Sequence, residues 1–178
     1  MSDLVNEIYC PLSLKCVAAS ITGALGVDAP NEAEAPLDIL LKLIEGNKID
    51  RVLMYNPDAV ALWLFEKYTD IFAPVMLNTQ LTLPLQTVMP SVTPVCFATM
   101  YTGAEPDIHG IKAYRKPVVK TDTVFDALIR ADKKPCIVST GEDSMSKIFL
   151  ERDMDYFIVD TPDEANEKAI ELIKQDKY

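Results

Sequence analysis

Residues 118–174 read VVKTDTVFDALIRADKKPCIVSTGEDSMSKIFLERDMDYFIVDTPDEANEKAIELIK, and this stretch decides the fold. It holds three short apolar runs, Val118-Val119, Ile137-Val138 and Phe157-Ile158-Val159, each short enough to be a buried strand. A helical segment follows each of them: Thr123 to Arg130, Asp143 to Leu150 and Pro162 to Lys174. Strands alternating with helices predict an α/β chain whose mostly parallel central sheet is covered on both faces, a three-layer α/β/α sandwich. The last helix has Ala165, Ala169, Leu172 and Ile173 on one face. Thr161-Pro162-Asp163-Glu164 opens it with a Thr N-cap, Pro at the first helical position and Glu three residues on, a complete capping box. A helix of a parallel sheet normally leads into a further strand. The sequence stops four residues after Lys174, so the domain is expected to be incomplete.

Upstream, Ile49 marks a change of pattern. Arg51 to Tyr55 is a short apolar run read as a strand. Asn56-Pro57-Asp58 follows, and then a helix with Ala61, Leu64, Phe65 and Tyr68 on one face. Val75 to Pro94 reads as a broken or edge strand and loop, interrupted by Pro84 and Pro90. Pro94 to Tyr101 reads as a helix closed by Gly103. The first fifty residues read as helical. Leu14, Val17, Ala18, Ile21 and Leu25 form one stripe ending at Gly26. Leu37, Leu40, Leu41 and Ile44 form a second, opened by Pro36 and stopped at Gly46-Asn47. The expected organisation is an N-terminal helical segment, residues 1–48, packed on an α/β core, residues 49–178.

Apolar residues make up 49% and charged residues 25% of the 178, which excludes disorder, a coiled coil and a collagen-like chain. Seventeen Lys and Arg against 27 Asp and Glu give a net charge of −10. A surface of that sign repels nucleic acid and anionic membranes, so neither is an expected partner. No apolar run approaches the roughly 18 residues of a membrane span. The start, Met1 to Glu7, lacks the basic end and apolar core of a signal peptide. Cys10, Cys16, Cys96 and Cys136 show no metal-ligand rhythm and read as reduced thiols of a cytoplasmic protein. His109 is the only histidine, so no site within the sequence can use two His ligands.

In open parallel sheets, ligands bind beyond the carboxyl ends of the strands. Three positions qualify here. Asp58 is either an acid in the first turn of a helix or a hard oxygen ligand for Zn²⁺, Mn²⁺ or Mg²⁺. Thr93, in Pro90-Ser91-Val92-Thr93-Pro94, is either a plain helix cap or a metal-activated hydroxyl held at a positive helix end. The loop Ser139 to Ser144 offers backbone amides to an anion, but Glu142 and Asp143 oppose one, and a loop with a helix cap is the preferred reading. His109 reads as a turn-stabilising residue, and Glu151, Asp153 and Asp155 as a solvated face.

The order of these motifs resembles a known family. Val52-Leu53-Met54-Tyr55-Asn56-Pro57-Asp58, Pro90-Ser91-Val92-Thr93-Pro94, Thr102-Gly103 and Pro106-Asp107-Ile108-His109-Gly110-Ile111 are similar to the N-terminal half of the alkaline phosphatase superfamily. The nearest branch is the type I phosphodiesterase/nucleotide pyrophosphatases, and the match runs from about Arg51 to Ile137. The resemblance implies an alkaline-phosphatase-like sandwich and a metal-dependent phosphoric ester hydrolase. It makes Asp58 a metal ligand and Thr93 a nucleophile bound to the same metal, with Zn²⁺ the first choice and Mn²⁺ or Mg²⁺ alternatives. The substrate would be a small phosphate ester. Members of that branch tend to have Asp-Gly where this sequence has Asp58-Ala59, and Asn at the position of Cys96. Sulfatases need Cys-x-Pro-x-Arg, which Thr93 and Phe97 do not supply. The family's Asp-x-x-x-His, Asp-His-Gly and further His have no counterpart where His109 is the only histidine. The expected chain is therefore an N-terminal portion, inactive or nearly so alone. The alternative is a non-catalytic binding or assembly module that keeps the fold and self-associates through an unfinished sheet edge. A flavodoxin- or Rossmann-like nucleotide binder is disfavoured, because no GxGxxG or P-loop occurs.

Overall fold

The computed structural model describes residues 12–175 and 177–178, so the readings of Met1 to Glu7 and of Cys10 lie outside the described residues. Two strands, β1 (Cys136–Thr140) and β2 (Asp155–Val159), pair in parallel with Cys136 opposite Asp155 and Thr140 opposite Val159. Between them lies the short helix α8 (Met145–Ile148), and after them α9 (Pro162–Gln175), which packs on both strands. The capping box at Thr161 forms as read. The Glu164 amide donates to Thr161 Oγ1 at 3.2 Å, and Glu164 Oε2 accepts from the Asp160 and Thr161 amides at 2.9 and 3.2 Å.

The helices upstream are α1 (Cys16–Ala24), α2 (Asp38–Leu43), α3 (Leu62–Lys67), α4 (Thr69–Met76), α5 (Thr93–Thr102), α6 (Pro106–His109) and α7 (Val124–Arg130). The core lies where α1, α5, α7 and α8 meet. Ala18 and Ile21 face Val95, Ala98 and Tyr101, with Val124, Phe125, Leu128, Ile137, Ile148 and Phe149 completing the cluster. The rings of Tyr101, Phe125 and Phe149 stand 5.1–5.2 Å apart, centroid to centroid. Residues of α1 thus belong to the same apolar cluster as those of the strands, and α2 packs on α1.

The α/β class stands, but among the described residues the sheet has two strands, short of the broad central sheet of a three-layer sandwich. Two expected strands do not form. At Val118-Val119 a single backbone bond, Val119 N to Ile148 O at 2.8 Å, replaces a ladder, and Pro117 has no N–H to extend it. Val119 is nevertheless buried. Arg51–Tyr55 takes no strand structure, since no described edge pairs with it, and Val52, Leu53 and Tyr55 are exposed. Their exposure continues through α3 and α4, where Trp63, Ile71 and Leu77 are 62%, 73% and 85% exposed. β2 is also less buried than expected, with Ile158 exposed. In the stretch Val75 to Pro94, Val75 and Met76 end α4 and Thr93 and Pro94 begin α5, and the only strand-like pairing between them among the described residues is the isolated bridge of Gln86 with Ser13. No described helix is long and apolar enough to cross a membrane.

One ionic junction ties the second half together. Thr123 and Asp126 form a reciprocal capping box at the start of α7. Arg152, whose side chain is 7% exposed, donates from Nε to both Asp126 oxygens at 3.0 Å. It also donates to the carbonyls of Leu150 and Val119 at 3.3 and 3.1 Å. Replacing this guanidinium takes the cation from a half-buried carboxylate that keeps its Thr123 bonds, and a donor from each of two carbonyls. The substitution Arg152→Met is expected to cost about 2 kcal/mol, read from urea unfolding midpoints. An unchanged midpoint would show the junction to be energetically neutral.

Candidate functional site

Thr93 is the first residue of α5, and Pro94 sits in the first turn, where its missing N–H removes nothing from the helix. The N-cap is Val92, with extended backbone and no side-chain cap bond. Thr93 therefore does not act as a plain cap. Its hydroxyl donates to the Asp58 carboxylate, at 3.3 Å from each oxygen. Asp58 is exposed and Thr93 half-buried. Asp58 is not a first-turn acid either, because α3 begins at Leu62 with Ala61 as N-cap and has no acid in its first turn. Nor does it end a strand, for the reason given above. It stands in a turn whose next residue, Ala59, has φ +58°, and the Ala59 amide donates to Asp58 Oδ1 at 2.8 Å. A Cβ in that left-handed region costs about 1 kcal/mol, which glycine avoids.

Two features near this pair were not read from the sequence. Asn56 donates from Nδ2 to the Tyr101 hydroxyl at 2.7 Å, joining the Asp58 turn to the far end of α5. Burial pushes the Tyr101 phenol up to about 12, so it stays protonated. The only prior signal was Asn56-Pro57, which reads as a turn whatever the side chain touches. The other feature is the contact of Cys96 Sγ with Thr87 Oγ1 at 3.2 Å, at the position where Asn was expected from the resemblance.

The end of α5 is fixed by Gly103, which has φ +73° and lies so close to Ala33 that an added Cβ would fall 2.6 Å from that residue's Cα. Both backbone conformation and space require glycine here. Past it, His109 is buried. Its Nδ1 accepts from the Ile111 amide at 3.2 Å, which leaves the proton on Nε2 to be donated to Thr99 Oγ1 at 3.0 Å. Desolvation holds the ring's pKa down, to about 4. His109 is a neutral support between α5 and the following turn.

The loop after β1 makes its own bonds. Ser139 donates to Asp143 Oδ2 at 3.2 Å, and Ser146 to the Gly141 and Asp143 carbonyls at 3.1 and 2.9 Å. Ser144 makes no side-chain cap bond to α8, so the expected cap is absent there. Back-bonding by Ser146 fixes the turn in its place. Glu151 pairs with Lys120, and Asp155 with Lys177 and Tyr178, on an exposed face. Asp58 and Thr93 offer one carboxylate and one hydroxyl, a donor set suited to a hard divalent cation. Among the described residues no group of three or more His, Cys, Asp or Glu side chains converges. The pair thus fits part of one cation's shell, and a two-metal site with histidine ligands does not fit.

Residues 61–143 match the family model of type I phosphodiesterase / nucleotide pyrophosphatase. No curated protein and no solved structure matched the chain. The matched stretch contains Thr93, Thr102-Gly103 and His109-Gly110-Ile111, and begins three residues after Asp58. The resemblance carried by those motifs is therefore shown over the matched stretch, which takes in 83 of the 178 residues.

Two predictions come from this geometry. Because the folded pKa of His109 lies below its unfolded value near 6.5, the unfolded chain binds the extra proton between pH 6.5 and 4. Stability contributed by neutral His109 is present above pH 6.5 and is lost as pH falls towards 4, by about 3 kcal/mol in all. Unfolding midpoints taken from pH 7 to pH 4 should fall less steeply in His109→Gln. Second, Ala59→Gly is expected to raise stability at pH 7 by a few tenths to about 1 kcal/mol, the relief of strain being partly offset by backbone entropy. A lower melting temperature for that variant would contradict the strain.

Proposed function

We propose that this chain is part of a metal-dependent phosphoric ester hydrolase of the phosphodiesterase/nucleotide pyrophosphatase type, built on a three-layer α/β/α sandwich, with Thr93 as nucleophile. The observation that carries the reading is the Thr93 hydroxyl turned away from any capping role and onto the Asp58 carboxylate. The family match over residues 61–143 supports the reaction class.

Asp58 and Thr93 would hold one divalent cation, Zn²⁺ by analogy with the family and Mn²⁺ or Mg²⁺ by donor chemistry. When bound, such a cation supplies Lewis acidity and offsets negative charge on a phosphoryl group. The residues themselves do the rest. Asp58 accepts the Thr93 hydrogen bond and so fixes the direction of Oγ1. Thr93 Oγ1 attacks phosphorus, its proton passes by way of solvent to the leaving alkoxide as that bond breaks, and the result is a Thr93 phosphodiester that keeps the substrate's other ester group. Water then cleaves the bond between Thr93 Oγ1 and phosphorus, releasing a phosphate monoester and restoring the hydroxyl. The positive end of the α5 dipole lies at Thr93, where Pro94 has no N–H and the Val95 and Cys96 amides both donate to the Val92 carbonyl, so the helix acts on an incoming anion through its dipole. His109 takes no part, since both its nitrogens are committed within the core.

The family's later ligands have no counterpart in this sequence, so the chain by itself is expected to turn over poorly. The substrate is a small phosphate ester, and the charge of −10 argues against nucleic acid and anionic membranes as partners. A cytoplasmic setting agrees with Cys96 and Cys136 as thiols. The second reading, a non-catalytic assembly module, draws on the exposed apolar side chains Leu53, Tyr55, Trp63, Ile71 and Leu77.

The test is direct. Mn²⁺ binding followed by electron paramagnetic resonance should weaken at least tenfold in Asp58→Asn. Hydrolysis of bis-p-nitrophenyl phosphate should stay near the metal-only blank. Turnover well above that blank and abolished by Thr93→Ala would support the nucleophile and overturn the incompleteness. Equal Mn²⁺ binding by wild type and Asp58→Asn, with concentration-dependent self-association in sedimentation, would favour the assembly module.

A further inference from the structure

We propose that Asn56 is a positioning residue, which sets the Asp58 carboxylate against the Thr93 hydroxyl by fastening the Asp58 turn to Tyr101. The functional meaning of that placement rests on the hydrolase reading above; the placement itself does not.

Upstream, the segment that carries Asp58 is tied by Arg51, whose Nη1 donates to the Ile173 carbonyl at 3.3 Å. Residues 51–55 and 57–63 are exposed, with Leu53, Tyr55 and Trp63 more than half in solvent. Yet the turn contains a non-glycine residue at φ +58°. Strained backbone of this kind persists only where its surroundings over-determine it. Residues 56–59 are held by the Ala59 amide to Asp58, the Thr93 hydroxyl to Asp58, and Asn56 Nδ2 to the Tyr101 hydroxyl. The first lies within the turn, and the second is a long bond between a half-buried hydroxyl and an exposed acid. The third is short and ends on a buried group, since Tyr101 is 3% exposed and stacked on Phe125.

Chain geometry makes the link effective. Asn56 is two residues before Asp58, and Tyr101 is eight residues after Thr93 on the same helix. Asp58 is thus referenced to α5 at two points, and the buried end of the helix decides where the exposed end meets its partner. The bond is also chemically durable. The Tyr101 phenol, held up to about 12, stays neutral at any working pH, so the amide keeps its acceptor. Asn56 is half-buried, which raises the cost of leaving either partner unsatisfied.

The experiment compares Asn56→Leu, Tyr101→Phe and the double variant by NMR. Tyr101→Phe keeps the ring packing and removes only the acceptor, so it serves if Asn56→Leu folds poorly. Solvent exchange of the Ala59 amide is expected to rise about tenfold in each single variant and no further in the double, with the Leu128 amide unchanged. Mn²⁺ affinity should fall several-fold in the same variants. Unchanged Ala59 exchange in both single variants would overturn the proposal. Faster Ala59 exchange together with equal Mn²⁺ binding by wild type and Asp58→Asn would support Asn56 as the anchor of Asp58 and sink the hydrolase reading instead.

Discussion

The Tyr101 side chain meets two demands that oppose each other. Its ring is wanted in the core, where it stacks on Phe125 and meets Phe149 at a tilt of 60°, and its hydroxyl cannot go there without a partner. Asn56 supplies that partner from an otherwise exposed segment. The requirement to satisfy one buried phenol therefore draws residues 56–59 onto α5, and the Asp58 carboxylate arrives beside Thr93 as a result. The rest of the site follows from how α5 is held. Gly103 lets the chain leave the helix beneath Ala33, and His109 braces the helix through Thr99.

A second junction does for the sheet what Tyr101 does for the site. Arg152 reaches from the segment before β2 to the Asp126 that caps α7, and to the Val119 carbonyl that a full strand would have used in a ladder. Where regular pairing is absent, a guanidinium with several donors substitutes for it. The result is a sheet of two parallel strands supported by helices and one ionic node. It leaves the stretch from Val52 to Leu77 rich in exposed apolar side chains. Monomeric surfaces seldom carry so many together, and such a face usually meets another surface.

What the sequence disclosed depended on the range of the interaction involved. Helices and caps are local: the Thr161 box, the stop at Gly103 and the stripe of α1 were all legible from residues three or four apart. Strands are not local. Val118-Val119 and Arg51–Tyr55 have strand-like composition, and only the position of a partner edge decides whether a ladder forms. The same holds within the site. The motif spacing picked out Asp58 and Thr93, and nothing in it distinguished a capping hydroxyl from one pointing at a carboxylate 35 residues away. Asn56 and Tyr101 escaped notice because a turn-forming Asn and a core Tyr each have sufficient explanations alone. Ala59 is the reverse case, since its departure from Asp-Gly was visible and its cost appeared only with a positive φ.

The exposed face has a spectroscopic consequence. Trp63 is the only tryptophan in the sequence, and it lies on α3, five residues beyond Asp58 and largely in water. Indole emission excited at the red edge of the band therefore reports on one surface of the molecule, with no background from the core. Whatever covers that surface displaces water from a single ring and shifts its emission to the blue, so the native chain carries an optical probe of its own least-satisfied face.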